Sequence, residues 1–163
     1  MFVVDTTADG RRIRFSANLS LLDRAVDETV AFLRTRNATG RLFEVQLLLR
    51  EALVNAVRHG SRLDPGRTVS LEVATAPDRL HLVIADQGPG FDWRARMADK
   101  PSPTATRGRG LCILALYADE LAFNEAGNAV RLAKRIPGLR GPASPADRRG
   151  QALGEDKHGG DSH

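Results

Sequence analysis

Cysteine is nearly absent: Cys112 is the only one in 163 residues. A single thiol excludes an intrachain disulfide and fits a reducing compartment, so the chain reads as cytoplasmic. Aromatic residues make up only 5% of the sequence, and almost none falls within a basic segment. The stacking platform of a single-strand nucleic-acid binder is therefore missing, and no direct nucleic-acid partner is expected. No apolar run approaches the roughly 20 residues that cross a bilayer, and no basic-then-apolar leader opens the chain, so no membrane role is expected. Charge of one sign is not massed either. The net charge is +4 with arginines and acids interleaved, which permits phosphate-bearing partners without naming one.

What is present suits a globular domain: 42% hydrophobic and 27% charged residues over a length that encloses a real core. "RRIRFSA" (11–17) alternates Ile13 and Phe15 with arginines, the period of a half-buried strand. "SLLD" (20–23) reads as a capping box with Ser20 as the cap, opening a core-facing helix to about Thr35. "NATG" (37–40) breaks the chain, and a second helix is expected from Arg41 to His59, stopping at Gly60. "RTVSLEVAT" and "RLHLVIAD" alternate as a hairpin turning at Ala76-Pro77-Asp78. A long stretch rich in Gly, Pro and Thr follows, then a short helix from Gly110 and a closing hairpin that turns near Gly127-Asn128. Tight turns between consecutive strands imply a mixed, largely antiparallel sheet. With the helices on one face, the fold class is an α/β two-layer sandwich. The domain is expected to span 1–136, with 137–163 a disordered tail; His158 and His163 there read as solvated rather than metal-binding.

Three segments carry chemistry. On the second helix, Glu51, Asn55, Arg58 and His59 share one sector while Leu49, Ala52, Leu53 and Ala56 take the other. By itself this stripe fits a solvated face as well as a site. "IADQGPGFD" (84–92) ends an apolar strand on Asp86 and follows it with Gly88 and Gly90; "RGRGL" (107–111) sets two glycines at a helix start. Glycines allow close backbone approach, and a helix N-terminus offers free N–H groups to phosphate. Each glycine pair alone is a common turn, and Asp86 alone is a common strand-end acid. Cys112, between apolar neighbours, reads as a small core residue. Phe91 and Trp93 read as anchors for the loop that follows.

In this order the three segments resemble the N box and the two glycine boxes of the GHKL (Bergerat-fold) ATPases. Within that superfamily, the chain is most similar to the bacterial anti-sigma-factor serine/threonine kinases. "SANLSLLDRAVDETVAFL" resembles their opening helix and "ELAFNEAGNAVRLAKRI" their closing strands, so the likeness covers about residues 11–136. It implies the cofactors ATP and Mg²⁺, with Asn55 as metal ligand and Glu51 as general base toward a serine or threonine hydroxyl. It implies that Asp86 receives the adenine amine, beside Gly88 and Gly90. Arg107, Gly108, Arg109, Gly110 and Leu111 would surround the phosphates, His59 would line the same region, and 92–107 would form a lid. Arg107 departs from the small residue usual there. The implied partners are a STAS-domain anti-anti-sigma protein, a sigma factor and a second copy in a homodimer. A nucleotide-binding partner switch with little turnover remains the competing function, and a histidine-kinase catalytic domain ranks below both.

Overall fold

The computed structural model describes residues 1–99 and 109–142. Arg107, Gly108, the second half of the expected lid and the chain beyond 142, with His158 and His163, lie outside the described residues. Among the described residues, six strands form one sheet in the order β1-β2-β3-β4-β6-β5: β1 (Phe2–Thr6), β2 (Gly10–Ser16), β3 (Thr68–Ala76), β4 (Arg79–Asp86), β5 (Glu120–Phe123) and β6 (Ala129–Arg135). All five pairings are antiparallel. The two-residue side-chain period decides which face is buried: Ile13, Phe15, Val69, Leu71, Val73, Leu80, Leu82 and Ile84 point into the core. Helices α1 (Leu19–Thr35), α2 (Leu42–Val54) and α4 (Gly110–Tyr117) cover that face, and α3 (Trp93–Ala98) buries nothing.

Helix α1 starts two residues earlier than its sequence suggests. Asn18, not Ser20, is the N-cap: its Oδ1 accepts from the Ser20 amide at 2.8 Å and from the Ser20 hydroxyl at 2.7 Å. Asparagine caps as well as serine does, and here it lies closer to the first free amides. Thr29, fully buried on the apolar side, donates to the Ala25 carbonyl at 2.8 Å and so leaves no lost bond in the core. β1 and α3 were not expected: the first is only five residues long and the second only six, too short for a period to show.

Helix α2 packs Val45, Leu48, Leu49, Ala52 and Leu53 inward. It then widens into a π-type turn over Asn55–Gly60, where the Ser61 amide donates to the Ala56 carbonyl at 2.7 Å. In α4 only Leu114 is fully buried. Cys112 is exposed, which corrects its reading as a core residue: on a helix of this length Leu114 takes the inward direction, and Cys112 lies about 200° away from it.

The chain stays packed past position 136. Leu139 is buried in the core, and its carbonyl accepts from the Asp78 amide at 3.0 Å. The Asp78 carboxylate accepts from the Gly138 amide at 2.7 Å, and Asn37 Nδ2 donates to the Gly138 carbonyl at 3.0 Å. Residues 137–141 therefore strap the β3–β4 turn to the end of α1. No helix among the described residues is long and apolar enough to cross a membrane.

Candidate functional site

Two groups of contacts form at the C-terminal end of α2. In the first, a Cβ placed on Gly110 would lie 3.1 Å from Glu51 Oε2 and 3.5 Å from Asn55 Oδ1. The start of α4 is therefore seated directly on the carboxylate and amide that α2 presents one turn apart. Both side chains are half-buried, while Arg58 and His59, which leave from the widened turn, are exposed. The stripe drawn on a straight helix holds for Glu51 and Asn55; past Asn55 the wider turn changes the rotation per residue.

The second group joins Gly60 to the end of β4. A Cβ on Gly60 would overlap the carboxyl group of Asp86, and one on Gly88 would overlap the Gly60 carbonyl. Asp86 Oδ1 accepts from the Gly88 amide at 2.7 Å. Arg67 Nη1 donates to the Gly60 carbonyl at 3.4 Å. Burial pushes the Asp86 carboxyl above its ordinary range, against the opposing pull of the Gly88 N–H and of the Arg67 charge. Such a carboxylate lacks solvent that a polar ligand could replace. Gly60 and Arg67 escape sequence reasoning: Gly60 reads there as a helix stop, yet its φ is not in the left-handed region. The missing side chain makes room for Asp86.

The two groups share one stretch of helix. Gly60 follows Asn55 by five residues, roughly 6–8 Å along the axis. Leu111 is half-buried against the core and Arg109 is exposed beside Gly110. The glycine turn after β4 is braced from the β5–β6 turn. Gly90 (φ 80°) leaves space for the Ala126 carbonyl, and Gly127 (φ 78°) for that of Phe91. Asn128 Nδ2 donates to the Gly88 carbonyl at 3.1 Å, and Asn124 Oδ1 accepts from the Gly127, Asn128 and Ala129 amides. Phe91 and Trp93 pack on Phe123 with ring centroids 5.6 and 5.5 Å away, and Trp93 Nε1 donates to the Asn124 carbonyl at 2.9 Å. The aromatic pair thus anchors the base of the following loop. An open depression beside it is lined by Pro89, Phe91, Trp93 and Glu125; Glu51, Asn55 and Asp86 do not line it.

The donor set suits a hard cation shared with a ligand. Asn55 Oδ1 and the Glu51 carboxylate are oxygen donors. Among the described residues no cluster of three or more His, Cys, Asp or Glu side chains could hold a metal by itself.

A family model described as a histidine kinase-like ATPase domain matches residues 15–134, a span that contains all of these contacts. The serine-protein kinase RsbW of Bacillus subtilis (strain 168) is 30% identical over 106 residues, covering 60% of this chain and 66% of that protein. This chain thus spans just under two thirds of that relative's length. The anti-sigma F factor of Geobacillus kaustophilus (strain HTA426) is 26% identical over 132 residues, covering 77% of this chain and 82% of that protein. A solved histidine kinase domain from the Erythrobacter litoralis EL346 blue-light activated histidine kinase aligns with 71% of this chain and 61% of its own, at 17% identity and a TM-score of 0.46. With three quarters of its length inside one family model, and the paired acid and amide of α2 set against a glycine turn, the chain belongs to the histidine kinase-like ATPase domain family.

Proposed function

We propose that this chain is an ATP-dependent serine/threonine protein kinase of the anti-sigma type, which phosphorylates a STAS-domain anti-anti-sigma protein and sequesters a sigma factor. The observation that carries the reading is the seating of Gly110 on Glu51 and Asn55, at the end of the helix whose Gly60 abuts Asp86. The similarity to proteins named as a serine-protein kinase and an anti-sigma F factor supports it.

In this reading each residue has one task. Asp86, desolvated and held by the Gly88 amide, accepts a hydrogen bond from the adenine amine. Asn55 Oδ1 is the protein's ligand to Mg²⁺, which supplies charge neutralisation on the phosphates when bound. The Gly110 end of α4 presents backbone N–H groups toward the same oxygens. Glu51 takes the proton from the attacking serine or threonine hydroxyl. Phosphoryl transfer demands mostly positioning and neutralised charge, and these groups supply both.

The test is phosphate transfer from radiolabelled Mg-ATP to a purified STAS-domain partner. Wild type is expected to label the partner. Glu51→Ala is expected to slow transfer by about 10²-fold or more while Mg-ATP binding persists. Wild-type labelling by the Glu51→Ala variant would overturn the assignment. Nucleotide and partner binding by wild type with no transfer at all would make the chain a nucleotide-gated binding switch instead.

A further inference from the structure

Lys134 occupies a core-facing register position of β6, between Leu132 and Ile136, where the alternation calls for an apolar side chain. It is 4% exposed. Its ammonium donates to the Tyr117 carbonyl at 2.7 Å and pairs with Glu44 Oε2 at 2.5 Å. Tyr117 ends α4, and Glu44 lies in the first turn of α2. One buried cation therefore joins a strand to two helices.

Stability alone is a poor reason for such a group. Replacing a buried ionic group by an apolar side chain is often neutral or favourable, whereas an ammonium at this depth needs every partner it can find, here a Glu44 carboxylate that is itself only half-buried. Its partners suggest placement. The carbonyls that end a helix lack internal donors and carry partial negative charge, so Lys134 grips α4 at its natural cation site. Helix α4 is eight residues long, roughly 12 Å, and behaves as one stiff rod. Whatever holds its Tyr117 end decides where its Gly110 end rests, and Gly110 rests on Glu51 and Asn55. The Asp119 amide donates separately to the Ala133 carbonyl at 2.9 Å. The return into β5 and β6 thus has its own anchor and does not need the lysine.

We infer that Lys134 is a positioning residue: by tying the end of α4 to Glu44 it seats Gly110 against Glu51 and Asn55, and so tunes the grip on nucleotide phosphates. The seating stands on geometry; the link to phosphates rests on the proposed function.

Hydrogen exchange of the nucleotide-free full chain, followed by mass spectrometry, tests the seating, and Mg-ATP titration tests the link. In Lys134→Met, amides of 110–118 are expected to exchange about tenfold faster while β2, β3 and β4 keep their protection. Mg-ATP is expected to bind about tenfold more weakly, as misplacement of a distant support predicts. Glu44→Gln should give a smaller change in the same segment, and it decides the matter if the methionine variant does not fold. Unchanged exchange over 110–118, or protection lost evenly across the sheet, would overturn the seating. A loosened α4 with wild-type Mg-ATP affinity would overturn the link. If wild type itself fails to bind Mg-ATP, the proposed function falls, and the exchange comparison still decides what Lys134 does.

Discussion

Gly60→Ala isolates the contact between the end of α2 and Asp86. The backbone at Gly60 is not left-handed, so alanine is free of conformational strain there and the perturbation is one methyl group. That methyl would occupy the position of the Asp86 carboxyl. The carboxyl can yield only by rotating about its own side-chain bond, which breaks its 2.7 Å bond from the Gly88 amide. A hydrogen bond to a charged acceptor contributes about 1.5–3 kcal/mol. Replacing glycine by alanine in a helical turn returns about 0.8–1 kcal/mol. Folding stability should therefore fall only slightly, by roughly 0.5–2 kcal/mol. Nucleotide affinity has no such offset. A carboxylate turned away from its seat loses one charge-assisted bond to the ligand, or roughly 10- to 150-fold in Kd. Calorimetric titration with Mg-ATP beside a urea melt gives both quantities. Gly88→Ala serves as the contrast, because its Cβ would strike the Gly60 backbone carbonyl, which cannot rotate aside; that variant should lose stability as well as binding. Binding of Mg-ATP by Gly60→Ala as tight as by wild type would refute the reasoning.

Asp86→Asn should separate stability from binding through pH. Because burial raises the Asp86 pKa above the ordinary 3.8, the folded chain holds that proton more tightly than the unfolded chain. The corresponding stability is present at acid pH and lost as pH rises through the folded value. The nucleotide-free asparagine variant should melt at or above the wild-type temperature at pH 7, with the difference shrinking toward pH 4, while Mg-ATP binding weakens; a lower melting temperature at pH 7 would count against the desolvated carboxylate. Leu139→Ala should lower the unfolding free energy by about 2–5 kcal/mol, read from a denaturant midpoint. An unchanged midpoint would mean that the strap does not belong to the core.

The long, regular pieces of the fold were legible because their periods are strong. Buried positions in β3 fall at every second residue from Val69 to Thr75, and those of α1 recur from Leu22 to Leu33 at helical spacing. Short pieces left no period to read, as in β1 and in α3. Within the site, the pairing of Glu51 with Asn55 follows from one helical turn. The meeting of Gly60 with Asp86 does not, since it depends on how α2 lies across the end of β4. Lys134 was invisible for a similar reason: in "RLAKRI" it passes for one more surface cation, and only the register of β6 turns it inward. Cys112 shows the converse error, where apolar neighbours in sequence were mistaken for burial in space.

The strap has a practical consequence. Gly141 lies beside Pro77, at the rim where β4 begins, and Asp86 ends the same strand seven residues on, roughly 23 Å away. A fluorophore or affinity handle attached at the exposed Pro142 would sit at the opposite rim. The molecule can then be immobilised or labelled there with the Glu51 end left open to whatever it meets.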